Sequence, residues 1–417
     1  MQFPNYLSLL GLSLLLSGCL PDWDDAWNTE VVSGCISTDT IWTNDKIWVL
    51  DGLVVVAGNL GCSGEDSSAS SATLTIEEGT QIRGLQESAL LVASGGLLKA
   101  KGTKAHPIVF TSAQAEPQPG DWGGITLLGD APVSNGVHYI EGIEESPLTV
   151  YGGSNPQANC GQLEHVVVTH AGYRLYANNE FNGLTLGGCG RNTVVHNIGI
   201  FDAYDDGVEI FGGTVDIKNI LVQDVGDDAL DWDLGWNGRA QFLFLEPGHG
   251  QYAIEGSSFL EFTEESIFSI PLLYNVTLVS SGNTTSAILL KDNTRMHLLN
   301  SVFVDFNGFL LQTDLASILR EDDNIDAHGL YYPDLPHRFS ASMKLIQLFY
   351  HSLTSVPNPM LDAHSGYPSN VDVCSYGNLL QIITTFDFFE EVGCFGAVVS
   401  PTDSWVSDLR EAYLSLQ

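Results

Sequence analysis

Acidic side chains crowd the stretch from Asn197 to Asp233 and recur at fixed spacing. The segment NIGIFDAYDDGVEIFGG is followed by NILVQDVGDDALDWDLGW. With Asn197 set over Asn219, Asp205 falls on Asp227, Asp206 on Asp228 and Glu209 on Asp231, each 22 positions apart. Carboxylates gathered in this way suit a hard divalent cation. Calcium takes roughly six to eight oxygens at 2.3 to 2.6 Å in flexible geometry, which carboxylates and turn carbonyls on adjacent coils can supply. The candidate metal ligands are Asp202, Asp205, Asp206, Glu209, Asp227, Asp228, Asp231 and Asp233. The competing explanation is a solvated acidic face on an acidic protein. The regular offset favours the cation: equivalent acids on neighbouring coils would stand about 4.8 Å apart. At an effective dielectric near 20 each such pair repels by roughly 3 kcal/mol. Tyr204, Trp232 and Trp236 lie among the acids, and an aromatic ring beside carboxylates on a flat β-face can hold a sugar.

The elements that must position these residues are short strands. A repeat of about 20 to 25 residues carrying apolar strands and turn residues is the signature of a solenoid. From Lys46 onward, runs rich in Val, Ile, Leu and Thr are broken by glycine, as in WVLDGLVVVAG, ATLTIEEGTQIRG and SALLVASGGLLKAKG. In DDGVEI and DDALDW the period of two puts Val208, Ile210, Leu230 and Trp232 on one side of the strand. Glu209 and Asp231 take the other side, the outside of the coil. Asp205, Asp206, Asp227 and Asp228 fall in the turns just before. Trp232 is therefore expected in the core, which leaves Trp236 and Tyr204 as the expected ligand contacts. Asn197, Asn219, Asn275 and Asn300 each open an apolar strand and are read as a structural ladder at a turn, where asparagine tolerates left-handed backbone. Ser134 to Cys160, rich in Gly, Ser, Asn and Pro, is expected to loop out from the stack. Beyond Gln312 the repeat fades into short helices, Asp314 to Arg320 and Ser342 to Tyr350. A last amphipathic helix follows over Thr402 to Leu416, with Trp405, Leu409, Ala412 and Leu416 on one side.

With 51 acidic against 15 basic residues the net charge is −36, yet only 16% of the 417 residues are charged and 44% are apolar. This describes a folded protein and not an acidic disordered tail. Such a field disfavours nucleic acid and anionic membrane surfaces as partners and favours divalent cations. Leu7 to Leu16 is an apolar run too short to span a bilayer comfortably. It ends in Leu16-Ser17-Gly18-Cys19, which resembles a bacterial lipobox. That resemblance implies cleavage before Cys19, lipid attachment at its sulfur and, with Leu20 following, an outer-membrane or cell-surface address. The six remaining cysteines, Cys35, Cys62, Cys160, Cys189, Cys374 and Cys394, suggest disulfides, for which 15 connectivities exist; pairing of sequence neighbours would close three local loops. No CxxC spacing is present to suggest structural zinc.

PIVFTSA, PGDWGGITLLGDAP, NGLTLGGCG, YDDGVEIFGGTVDIKN, GDDALDWDLGWNGRAQF and NSVFVDF together resemble a family of exported bacterial parallel β-helix proteins of the pectin-lyase-like type, often lipoproteins. The resemblance covers roughly Lys46 to Phe306 and implies an all-β, single-stranded right-handed parallel β-helix. Cys189 departs from the family pattern, which more often has a small apolar residue there. Polygalacturonases share this fold, and Asp206, Asp227 and Asp228 with His249 resemble their acid, base and nearby histidine. The Arg-x-Lys pair that grips a uronate in those enzymes has no counterpart here; Lys291 and Arg295 come late in the chain. A calcium-assisted lyase would need a Lys or Arg base beside the metal, for which Lys218 and Arg239 are the nearest in sequence. His165 and His170 flank a strand and are read as turn or surface residues. Residues 1–18 are thus read as a lipoprotein signal peptide and 19–45 as tether and N-terminal cap. The β-helix is assigned to 46–312, and 313–417 is read as a C-terminal cap with short helices. The expected role is a calcium-stabilised, lipid-anchored protein binding polysaccharide or an envelope component, with no catalytic residue. A polysaccharide-degrading enzyme is the alternative.

Overall fold

Apolar alternation closes the chain into coils of three short strands, stacked so that each strand pairs in parallel with its equivalent one coil away. The structure is a computed structural model that describes residues 28–176, 179–259, 261, 263–280, 286–299, 301–304, 306, 311–313, 327–328, 388, 397 and 404–416. Cys19, Asn300, Cys374, Cys394, Thr402 and the two expected helices at 314–320 and 342–350 lie outside the described residues.

In the central coils the first two faces come from one long strand bent in the middle. Gly161–Thr169, Val194–Phe201, Asp216–Val225, Arg239–Gly248 and Leu272–Val279 pair in succession, all parallel. The bend falls at His165, Asn197, Asn219, Phe242 and Asn275, each in left-handed backbone with φ of 48 to 60°. The asparagines of the expected ladder thus serve as corner residues, and His165 and Phe242 fill the same corner without an amide. A second column of left-handed residues, His170, Asp202, Asp224 and Gly248, ends the second face. The third face stacks Ala89–Val92, Ile125–Leu128, Leu184–Gly187, Val208–Phe211, Leu230–Asp233, Ile254–Gly256 and Ile288–Leu290. The parallel ladder already begins at Thr29–Ile36, inside the stretch the sequence assigns to tether and cap.

The core is the lumen of the coil, and its columns follow the alternation. Leu184, Val208, Leu230 and Ile254 stack in one line, and Leu186, Ile210 and Trp232 in the next, all buried. Trp232 fits because Gly256 lies against its ring: a Cβ there would stand 2.3 Å from the indole.

Two attachments cover the outside. The helix Trp405–Leu414 buries Trp405, Val406 and Leu409 against Val109, Val167, Phe201, Leu221 and Phe244 on the outer side of the second face. It lies on the flank of the solenoid, where apolar outward residues await a partner. Residues 134–160 do not loop away from the stack as the composition suggested. Their hairpin, His138–Tyr139 with Val150–Tyr151, folds down on the third face, burying Val133, Ile140 and Tyr151 against Leu91, Leu128 and Phe211.

Cys35 pairs with Cys62 and Cys160 with Cys189. The second bridge explains the cysteine at 189, because it fastens the end of this insertion to the next coil. A closed loop of 29 residues removes unfolded-state entropy equivalent to about 3 to 4 kcal/mol. Cys189→Ala is accordingly expected to lower the melting temperature, and added reductant to lower it no further at this bridge; scanning calorimetry of both proteins checks this.

Candidate metal centre

The outward column of the third face runs Thr126, Thr185, Glu209 and Asp231, strand upon strand, with Glu255 following. The alternation that buries Val208 and Leu230 requires this orientation. Just before these strands, a corner column runs parallel to it. Asp228 N–H donates to Asp206 Oδ1 at 2.8 Å, and Tyr252 N–H donates to Asp228 Oδ1 at 2.7 Å. Each corner carboxylate therefore caps the backbone of the next coil, which fixes its height along the stack. Gly226 and Gly250 let these corners stack tightly: a Cβ on either would stand 1.7 Å from the carbonyl oxygen of Tyr204 or Asp227.

The carboxylates converge in two sets that share Asp206. Asp205, Asp206 and Asp227 have oxygens within 4.8 Å of one another, and so do Asp206, Glu209 and Asp231. Asp206, Glu209 and Asp228 are buried despite facing outward. The insertion brings Glu141 into hydrogen bonding with Glu209, and Asn182, one coil before Asp206, donates its amide to Glu209 at 2.5 Å. Burial, followed by the charges of Asp231, Asp228 and Asp205, pushes the Asp206 carboxyl well above the usual carboxylate range. Glu209 is raised by burial and then by Glu141, Asp206 and Asp231. Asp228 and Asp231 are raised too, by burial first and then by neighbouring acids. Without a cation these groups retain protons in the fold that they lose when unfolded. A raised carboxyl leaves the fold fully stable only below the unfolded value, with stability lost as pH rises toward the folded one. In chelator the melting temperature is therefore expected to fall as pH rises above the ordinary carboxylate range, and calcium is expected to flatten that decline; Asp206→Asn should reduce the slope in chelator.

The profile of a pectate-lyase-like β-helix domain matches residues 34–357. The chain belongs to this pectate-lyase-like β-helix family. No curated protein and no solved structure matches it. Among the described residues the donors in the two carboxylate sets are all oxygen, and the buried amide oxygen of Asn182 has no hydrogen-bond partner. Such a set fits calcium and offers nothing to a soft metal.

The β-helix sorts the remaining sequence candidates. Asp228 and Asp233 stand beside the two sets without joining them. Asp202 belongs to the left-handed corner, where it accepts from Tyr413 of the flanking helix and lies 3.7 Å from His170. His249 is exposed, and its charge acts on Asp224 at that same corner. Trp236 is not a ligand contact: it is fully buried, and its indole N–H donates to the Val215 carbonyl in the coil's return turn. Tyr204 is 45% exposed. Neither Lys218 nor Arg239 serves the acids. Lys218 stacks over Phe242 and Phe388, and Arg239 pairs with Asp216. Among the described residues Lys291 does reach the site, bound to Glu255 and acting on Asp231.

Sequence reasoning misses Glu141, Asn182 and Glu255, and weighs Lys291 only as a residue too late in the chain to grip a uronate. For two of them a signal exists. NGLTLGG sets Asn182 over Asp206 at an offset of 24, and AIEG sets Glu255 under Asp231 at the same offset. Glu141 and Lys291 are separated from the repeat by insertions and carry no such mark.

Proposed function

We propose that this protein is an exported, lipid-anchored β-helix, tethered through Cys19 at the outer membrane or cell surface, that holds calcium and binds polysaccharide or another envelope component. The observation that carries the reading is the convergence of Asp205, Asp206, Asp227, Glu209 and Asp231 in two sets within metal reach, with Asp206 and Glu209 buried and the others half-buried. Raised carboxyls packed at one strand spacing favour a cation over solvation. Asp206, with Asp205 and Asp227 or with Glu209 and Asp231, would hold it, and its contribution is to neutralise their charge and lock adjacent coils.

The glycan surface we assign to an open polar groove of about 520 Å³ lined by Gln86, Gln114, Glu116, Gly120 and Asp121. Tyr204 lies against Gly120, whose missing side chain leaves room for it, with its ring half in solvent. An exposed ring beside amides and carboxylates suits a sugar's apolar face and hydroxyls. The surrounding acids disfavour a uronate and favour a neutral or amino sugar.

Binding fits the geometry better than cleavage. Burial draws protons from Lys291, but its bond to Glu255 and the charge of Asp231 outweigh that and keep it protonated, so it is a poor base. The influence of His249 falls on Asp224, at the left-handed corner. The test melts purified protein with calcium and with chelator, then screens neutral, amino-sugar and uronate-rich polysaccharides for binding and for cleavage. Calcium-dependent melting with glycan binding that Tyr204→Ala weakens supports the proposal. Calcium-independent melting removes the cation from it, and cleavage abolished by Asp228→Asn would replace binding with hydrolysis.

A further inference from the structure

We infer that the acidic coils form two separate ion positions bridged by Asp206, the second completed by Glu141 from the insertion and by the amide oxygen of Asn182. The inference rests on the calcium reading above and extends it from one cation to a two-ion centre.

Geometry separates the positions. An ion bound to oxygens at about 2.4 Å requires all of them to lie within about 4.8 Å of one another, twice the bond length. Asp205 and Asp227 meet that limit with Asp206, and Glu209 and Asp231 meet it with Asp206, in two sets that share Asp206 alone. One coordination sphere therefore does not gather the five. The first set lies at the corner, ahead of the strands; the second lies on the outer side of the third face.

The face position has two further groups that the corner position lacks. Asn182 is 2% exposed, and its amide nitrogen donates to Glu209 Oε2 at 2.5 Å and to Thr185 Oγ1 at 3.2 Å. Its oxygen, on the same planar amide, is buried without a partner. A buried unpaired carbonyl costs about 1 to 3 kcal/mol, and a cation beside Glu209 relieves it. Glu141 hydrogen-bonds Glu209 from the solvent side. Two carboxyls in that contact either share a proton or share a metal, and Asp206 and Asp231 beside them favour the metal.

Charge points the same way. Asp205, Asp206, Asp227, Glu209, Asp231 and Glu141 bring six carboxyl groups to one small volume, six negative charges once a metal displaces their protons. One divalent ion leaves four of them uncompensated, and two ions leave two.

The experiment is calcium titration calorimetry on the purified wild-type chain, Glu141→Gln and Asp227→Asn, each accompanied by a melting curve in chelator to show that it folds. Glutamine keeps a hydrogen bond to Glu209 but removes the charge. The wild type is expected to bind two calcium ions. Glu141→Gln is expected to weaken one of them by at least about ten-fold and leave the other unchanged, and Asp227→Asn is expected to do the converse. A wild type that binds a single ion overturns the two-ion centre while the calcium reading stands. Two ions with neither affected by Glu141→Gln overturn the role of Glu141. A chain that binds no calcium overturns both readings.

Discussion

Asp206→Asn is expected to raise the melting temperature in chelator and to abolish the increment that calcium gives the wild type. Asp206 is the carboxylate common to both sets, it is buried, and burial and three neighbouring acids raise it well above its ordinary range. An asparagine has no proton to retain, so above the ordinary carboxylate range the substitution returns that lost stability to the calcium-free fold. Asparagine keeps an oxygen where Oδ1 accepts the Asp228 N–H, so the corner hydrogen bond survives. The amide is a far weaker calcium ligand. With calcium at 100 times its dissociation constant, the wild type gains about 2.7 kcal/mol, and the variant should gain almost none. The two proteins should therefore reverse order between chelator and calcium. A simple packing residue at this position would lose stability in both.

Gly226→Ala is expected to be the most damaging of the small substitutions at the corner. Gly226 is not in left-handed backbone, so conformational freedom is not the reason for it. Its added Cβ would stand 1.7 Å from the Tyr204 carbonyl oxygen, a main-chain atom of the preceding coil that cannot swing aside. The Gly226 N–H also donates to the Ala203 carbonyl at 2.9 Å, which ties the two corners together. Relief requires the coils to part where Asp205 and Asp227 meet. A cost of about 3 kcal/mol or more follows, read as a melting temperature lower by roughly 5 °C, together with weakened calcium binding. Gly52→Ala makes the control. It has left-handed φ but nothing within 4 Å of an added Cβ, so it should cost only about 1 kcal/mol of backbone strain and leave calcium binding intact.

Much of this architecture is legible in the sequence because stacking forces equivalence. The offset of 22 between Asp205 and Asp227 is a coil length, and the inward Trp232 and outward Glu209 and Asp231 follow from a period of two. Turns carry no such period. Trp236 sits in a return turn, and nothing in its spacing reveals that its indole reaches back to Val215 in the core. The place of Asp202 in the acidic run suggests a ligand, whereas its left-handed backbone and its contact with Tyr413 assign it to the scaffold. Glu141 comes from a hairpin outside the repeat, held down by Tyr151 against Phe211, so only tertiary packing brings it to Glu209. The flanking helix shows the same division: its apolar side was plain, but the flank that receives it is set by Phe201, Leu221 and Phe244 on three different coils.

The central claim, that two coils of this pectate-lyase-like β-helix gather their acids around calcium, is tested most directly by a crystal structure determined from calcium-containing solution. Density for an ion is expected among Asp206, Glu209 and Asp231, about 2.3 to 2.6 Å from their oxygens. Carboxyl groups hydrogen-bonded directly to one another, with water in place of an ion at both the corner and the face, would contradict it.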